Sequence, residues 1–411
     1  MNILVINDAF PPMGAGAARL AWLLAREYAQ KGNEVSFVTV THEKKEEITS
    51  KHDNLHVHKL YVPHYNERWR AYFGIYNPRA YRKLKDFFKK NTFDIIHVHN
   101  IHSYLSYSIC ILAAAKSKKV ILTFHDSMSF DYGKFTSHAN PNDCSDEPAV
   151  NYKLSTLKTI KTYRLHYFLF RNYFIRTILR KYSNFQCAVS QELQKALKAN
   201  NVPCSGFIHN GICTDEFIIN HKDIEDFKIK YMLKGRKVIM YGGRISHWKG
   251  ALLLMEAMKN IIADIPAATL LFIGTTGSSL EKYCTYFKLE NHFVCAPWLD
   301  GTELVAAYHS SDVVAVPSIY LDPFPTMNLE AMACKKPVIG TVFGGTKEII
   351  INRETGYLVN PFNVAQMAAH IGTLLKDKNL ALKFGEAGYR RLLEKFTITQ
   401  AADEYLKLFD Y

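Results

Sequence analysis

Two carboxylates, Asp322 and Glu330, stand eight positions apart in the segment YLDPFPTMNLEAMACKKPVIGTVFGG, residues 320–345. The segment reads as a strand end, a turn, a helix beginning near Thr326 and a further strand, with Asp322 in the turn and Glu330 about one turn inside the helix. A diphosphate at that helix start would meet unpaired backbone N–H groups and the positive end of the helix dipole. Carboxylates beside a dianion are unsuited to its phosphates. They are suited to accept hydrogen bonds from the sugar or ribose hydroxyls that flank it. Acid, phosphate cradle and acid form the layout that a nucleotide-sugar donor requires, although a plain loop and buried helix of a parallel sheet share much of the pattern.

Three further motifs carry chemistry. YGGRISHWKG, residues 241–250, follows a strand and opens a helix with two glycines, then Arg244 and Lys249. Two fixed cations at a strand end can neutralise the charge that grows on a departing nucleoside diphosphate. PPMGAGAARL, residues 11–20, joins the first strand to the first helix. Gly14 and Gly16 allow close backbone approach of an anion there, or simply make a tight turn; the dinucleotide fingerprint is incomplete. TFHD, residues 123–126, ends a strand, where open α/β sheets present side chains into a crevice. His125 is the site candidate in it, with His97, His99 and Asp126 behind it.

These motifs need a scaffold of strand ends. Apolar runs alternate with helix-like stretches in both halves of the chain, the pattern of parallel sheets with crossover helices. Strands are expected at 3–7, 34–40, 95–99, 120–124, 186–190 and 206–209, then at 238–242, 269–274, 292–296, 313–317 and 337–341. A helix over 18–30 should stop at Lys31-Gly32. The chain thus divides into two Rossmann-like domains, 1–210 and 211–395, and 396–411 reads as a further helix. Met128 to Pro148 reads as a loop on the acceptor side.

Composition narrows the class. With 411 residues and 48% hydrophobic content, the chain has room for two cores. No run of 18 apolar residues occurs, and MNILVINDAF reads as a strand rather than a signal peptide, so a cytoplasmic protein is expected. The eight cysteines form no CxxC pair and no metal or disulfide framework. The net charge of +13 lies wholly in residues 1–210, which hold 29 Lys/Arg against 16 Asp/Glu, while 211–411 holds 22 of each. No acid occurs between Pro148 and Gln191, where Lys158, Lys161, Arg164 and Arg171 alternate with aromatics, and a second basic aromatic stretch runs from Arg68 to Lys90. Such a surface suits an anionic partner, namely a phosphorylated lipid carrier, an anionic membrane or nucleic acid; solvated helices over a packed aromatic face are the plainer alternative. No nucleic-acid module is recognisable, and no nucleic-acid partner is expected.

Residues 320–345 resemble the donor-site signature of the retaining glycosyltransferases of family 4, of the kind that build cell-envelope or lipid-linked glycans. LEAMACKKPVIGT and the following GG match closely; Asp322 stands where Glu is common, and Pro325 where Gly is frequent. HNGICTDEF similarly resembles the family's interdomain segment. The resemblance implies an α/β GT-B fold, two Rossmann-like domains whose parallel sheets face each other across a cleft, with the helix 396–411 crossing back to the first domain. It implies a hexose-type sugar moved, with retention and without a metal or cofactor, from an NDP-sugar (UDP or GDP) to a hydroxyl of a glycan acceptor, lipid-linked in polysaccharide, O-antigen or glycolipid assembly. Arg244 and Lys249 would hold the diphosphate, Asp322 and His125 the donor sugar, and Glu330 the ribose. Phe324, Pro325, Thr326 and Met327 would line the donor, Gly14 and Gly16 would face it, and Trp298 lies where the family wraps the base, though a half-buried structural tryptophan is as good a reading. A peripheral contact with anionic membrane follows from the charge. Rival readings are a nucleotide-sugar epimerase or hydrolase and a noncatalytic nucleotide-binding scaffold subunit.

Overall fold

The computed structural model describes every residue except 12–14, 53, 244, 275–280 and 411, and the side chains of 15, 52, 158, 165, 281 and 410 are likewise left aside. Gly14 and Arg244 therefore lie outside the described residues, as does the side chain of Lys158. The chain forms two compact units. One comprises Met1–Lys134, Tyr152–Gly211 and Ile398–Tyr411; the other comprises Phe135–Asn151 and Ile212–Thr397. The sequence division at 210 does not foresee that Phe135–Asn151 joins the second unit. The reason is polar: the Asn360 side-chain amide donates to the carbonyls of Asp143 and Ser145 at 2.7 and 2.8 Å, and Gln366 to the Asp146 carboxylate at 2.6 Å. The stretch expected as an acceptor-side loop is thus in large part a strap on the second unit.

In the first unit the strands are β1 (Asn2–Ile6), β2 (Glu34–Thr41), β3 (Ile48–His52), β4 (Leu55–Tyr61), β5 (Phe93–Val98), β6 (Ser117–Phe124), β7 (Phe185–Ala188) and β8 (Gly206–Phe207). They order as β3-β4-β2-β1-β5-β6-β7-β8, all parallel except the β3–β4 pair. β1 is buried from Ile3 to Ile6, as a strand covered on both faces must be. The order reverses between β2 and β5, on either side of β1, so the C-terminal ends of β1, β5 and β6 are where an open sheet offers a crevice. The helix Ala15–Gln30 stops where Gly32 adopts φ +85°. The final helix, Ile398–Asp410, packs in this unit: Lys31 pairs with Asp403 at 2.7 Å, and Thr123 donates to the Tyr405 hydroxyl at 3.1 Å.

The second unit has β9 (Lys237–Gly242), β10 (Ala268–Ile273), β11 (Phe293–Ala296), β12 (Val313–Val316), β13 (Val338–Thr341) and β14 (Gly356–Val359), ordered β11-β10-β9-β12-β13-β14 and wholly parallel. Its core sets Met255, Met258 and Ile261 of the helix Ala251–Asp264 and Met367, Ile371 and Leu374 of the helix Val364–Lys376 against the sheet. The switch point falls beside β9, between β10 and β12, so the turns after β9 and β12 face the same crevice of this unit. Those two turns carry Lys249 and Asp322.

Candidate active site

The turn after β9 is built on glycine. Gly243 has φ +122°, and a Cβ there would sit 3.2 Å from Lys249 Nζ, so the ammonium lies directly against the glycine backbone. Gly250, with φ +72°, caps the start of the helix Ala251–Asp264, and a Cβ on it would come 1.9 Å from the Pro317 carbonyl. The backbone of this turn is paired at Trp248, whose carbonyl accepts from the N–H groups of Ile319 and Tyr320 at 2.8 and 3.1 Å. The lysine turn and the segment before Asp322 are therefore locked together. Lys249 makes no ion pair with a described carboxylate, and its charge is open to an anion.

Beyond β12 the chain turns through Asp322 and enters the helix Thr326–Ala333. Pro325, at φ −67°, sits at the N-cap without a side-chain cap, which leaves the first N–H groups of the helix for a ligand. Each carboxylate is anchored by a tyrosine. The Tyr320 hydroxyl donates to Asp322 Oδ2 at 2.6 Å, and the Tyr308 hydroxyl to Glu330 Oε2 at 2.6 Å. A charge-assisted bond of this length orients the acid and leaves its second oxygen for a hydroxyl. Neither tyrosine was singled out from sequence; Tyr308 lies 22 positions from its partner, and Tyr320, although only two positions from Asp322, carries no sign in the sequence that its hydroxyl turns to it. The Asp322 turn is closed from behind: its carbonyl accepts from Gly345 N–H at 2.9 Å, and Leu321 N–H donates to the Phe135 carbonyl of the strap at 2.8 Å.

The other residues expected at the donor divide by where their side chains point. Met327 lies against Gly242, with Sδ 3.1 Å from where a Cβ would stand. Trp298 is 64% exposed and its ring reaches over Gly274, which has φ +97°. That placement opposes the half-buried structural reading and leaves an aromatic face open beside the glycine floor. Phe324 is a correction in kind: its ring is buried against Phe396 at a centroid distance of 5.6 Å, so only its backbone is left for a ligand. Pro325 is buried as well.

In the first unit, His125 follows β6, and its Nε2 bonds His99 Nδ1 at 2.8 Å. His97, one strand over, bonds Thr123 Oγ1 at 2.8 Å and the Tyr28 hydroxyl at 3.2 Å. Burial disfavours the charged ring in all three: it pushes His125 down to about 4, against a smaller opposing pull from Asp126, and His97 to about 3, and holds His99 well below the usual range. His125 is thus a neutral hydrogen-bonding group at physiological pH. Asp8, at the end of β1, was missed from sequence. It accepts from the N–H groups of Ser103, Tyr104 and Leu105 at 2.6, 3.0 and 2.7 Å and pins the loop after β5, while burial raises its carboxyl. Gly16 is exposed near the start of the first helix.

Arg171 must be removed from the residues expected to meet an acceptor or membrane. It is fully buried, donates to the Met128 carbonyl and to Asn172 Oδ1, and stacks on the Tyr132 ring at 5.1 Å. A guanidinium taken out of water needs such partners, and these hold it inside the fold. Lys161 and Arg164 are exposed.

The three depressed histidines set a pH dependence of stability. Unfolded, each binds a proton near pH 6.5; folded, His125 stays neutral until about pH 4 and His97 until about pH 3, and burial holds His99 well below its ordinary range. Their contribution is complete above about pH 6.5 and is lost as pH falls below it, each adding a slope of up to about 1.4 kcal/mol per pH unit. The raised Asp8 carboxyl acts with the opposite sign, while His42, His58, His309 and His370, also held down by burial, act with the same sign as the three, so a loss of stability is expected over the window from pH 7 to about 5. Denaturant midpoints should fall across that window; equal midpoints would show that these rings ionise normally in the folded protein.

Comparison with known proteins agrees with this architecture. A family model for glycosyl transferases group 1 matches residues 223–391, and one for glycosyltransferase family 4 matches 14–216. The chain is 28% identical over 185 residues to the putative glycosyltransferase YtcC of Bacillus subtilis, covering 43% of this chain and 46% of that protein. It is 26% identical over 292 residues to the capsular polysaccharide biosynthesis glycosyltransferase CapM of Staphylococcus aureus, covering 68% and 76%. The matched stretch spans about half the length of the first curated relatives, YtcC and spore coat protein SA. Among solved structures, sucrose-phosphate synthase from Thermosynechococcus elongatus superposes with a TM-score of 0.75 at 19% identity, over 100% of this chain and 98% of that one. HepE of Anabaena, solved in complex with UDP-glucose, gives 0.70 at 16% identity, over 100% and 99%. At such identities the structures speak for the fold, which is GT-B. The two family models between them leave only the chain ends and residues 217–222 unmatched, and the chain belongs to the family 4, group 1 glycosyltransferases.

Proposed function

We propose that the protein is a retaining, metal-independent hexosyltransferase that moves a sugar from a UDP- or GDP-linked donor to a hydroxyl of a lipid-linked glycan, working on the cytoplasmic side of a membrane. One observation carries the reading. The turns after the neighbouring strands β9 and β12 of the second unit carry a lysine on a glycine turn, with no ion pair among the described residues, an uncapped helix start, and two tyrosine-anchored carboxylates eight positions apart. Lys249, with Arg244 of the same turn, would stabilise the leaving diphosphate; the free oxygen of Glu330 would accept from the ribose and that of Asp322 from the sugar. The bond from the sugar's anomeric carbon to the phosphate oxygen breaks, the acceptor oxygen bonds to that carbon on the same face, and the acceptor proton passes to the departing phosphate. No protein nucleophile takes part. Within the first unit, His125 is a neutral hydrogen-bonding group suited to a sugar hydroxyl. UDP is the donor nucleotide to try first, since HepE has been solved with UDP-glucose. CapM, named for capsular polysaccharide biosynthesis, supports a glycan acceptor.

The test is a transfer reaction with labelled UDP- and GDP-sugars in EDTA, with the product anomer read by NMR. Retention at undiminished rate is expected. An inverted anomer would overturn the mechanism, and full loss of activity restored by magnesium or manganese would overturn its metal independence.

A further inference from the structure

Two basic aromatic stretches of the first unit, far apart in sequence, meet ring to ring on its surface. Trp69 lies 5.6 Å from Tyr72, Tyr72 stacks on Phe168 at 5.2 Å, and Phe168 stacks on Phe174 at 6.0 Å. Trp69 is 49% exposed, Phe170 58% and Tyr173 60%, and the neighbouring Leu169 is 54% exposed. Soluble chains rarely leave large apolar side chains in a contiguous exposed patch without a use for it.

We propose that this cluster is the surface by which the first unit docks on an anionic lipid bilayer. The inference rests on the proposed lipid-linked acceptor for its purpose, but its evidence is separate, since it draws on no residue of the donor site. Charge selects the occupant. No acid occurs between Pro148 and Gln191, and Glu67, next to the patch, is paired with Arg70 at 3.1 Å. Arg68, Lys161 and Arg164 are exposed in the same two stretches. The ring geometry speaks against nucleic acid: Tyr72, Phe168 and Phe174 already stack on one another and offer no slot for a base, while an exposed leucine suits hydrocarbon. Tryptophan and tyrosine favour the headgroup level, phenylalanine and leucine the acyl boundary beneath it, and cations the anionic headgroups. The patch supplies all three.

The placement also separates the surface from the core below it. Arg171 sits one position beyond Phe170 in sequence, yet it is wholly buried and plays no part in docking. Reversing its charge would damage the fold and say nothing about lipid.

The test uses the full chain and sedimentation with vesicles of phosphatidylcholine alone or mixed with phosphatidylglycerol. The parent should partition into the mixed vesicles and far less into the neutral ones. The triple variant Trp69→Ser, Phe170→Ser, Tyr173→Ser should lose at least tenfold in partition at both low and high salt. Lys161→Glu with Arg164→Glu should lose most at low salt, where charge attraction is least screened. A thermal midpoint and a nucleotide titration equal to the parent's would show that the triple variant is folded. Should it prove misfolded, the Leu169→Ser and Phe170→Ser pair, both more than half exposed, serves the same purpose. Unchanged partition of a folded aromatic variant, equal partition of the parent into neutral vesicles, or no partition by the parent would each overturn the proposal. Nucleotide binding would stand in all three cases, so failure of the docking surface and failure of the sugar-transfer reading are distinguishable.

Discussion

Lys249→Ala should lower turnover by about 100-fold or more, a loss on the order of 3 kcal/mol of transition-state stabilisation. The expectation comes from the lysine's setting. Its ammonium lies against Gly243, where only a glycine at φ +122° lets a side chain come so close to the backbone, and no described carboxylate neutralises it. A charge held in that way is prepaid: it is already positioned before the diphosphate begins to leave. Arg244→Ala should cost a similar factor, since it stands in the same turn. Loss in kcat with little change in KM would mark an interaction that strengthens as the bond breaks. Near-normal kcat in both variants would remove the turn after β9 from the chemistry.

The second large effect is structural. A methyl group on Gly345 would stand 1.9 Å from the Pro323 carbonyl oxygen and 3.2 Å from the Phe324 ring, and one on the preceding Gly344, at φ +63°, would stand 2.2 Å from the Asp322 carbonyl oxygen. The two carbonyl oxygens are backbone and cannot swing aside. Gly345→Ala should therefore destabilise the second unit by about 3 kcal/mol, a fall of roughly 6–12 °C in its melting temperature, and should weaken nucleotide binding by displacing Asp322. Gly372→Ala is the contrasting change. It lies in the helix Val364–Lys376 with nothing within 4 Å of its would-be Cβ, so the added methyl should be neutral or stabilising by up to about 1 kcal/mol. Equal melting temperatures for the two variants would contradict the close approach at Gly345.

Much of this arrangement was legible in the chain itself. The central strands announced themselves as apolar runs because parallel strands are covered on both faces. Thr326 opens its helix in the structure, with Asp322 in the turn before it and Glu330 inside it, because Pro325 ends the extended segment and the good helix formers Met327, Leu329, Glu330 and Ala331 lie just beyond. The unread parts share a physical cause: they depend on partners remote in sequence. β3 and β4 form an edge hairpin whose sequence, ITSKH and LHVHKLY, alternates with His and Lys and carries no apolar run. β14, GYLV, is too short to stand out. The strap Phe135–Asn151 is held by Asn360 and Gln366, more than 200 positions away. Tyr308 and Asp8 each act on a neighbour that only the fold brings into reach. Arg171 misled for the converse reason, since a basic residue in a basic stretch gives no sign that the fold will swallow it.

The central claim is that the crevice of the second unit binds a nucleoside diphosphate through its cations, its helix start and the ribose-facing oxygen of Glu330. Calorimetric titration of UDP and GDP into the parent and into Glu330→Gln, repeated with the 2′,3′-dideoxy nucleotide, tests it most directly. One of the two nucleotides should bind the parent, Glu330→Gln should weaken that binding about tenfold, and the dideoxy compound should bind both proteins equally weakly. Failure of both nucleotides to bind, or equal affinity of parent and variant for the intact nucleotide, would contradict the account.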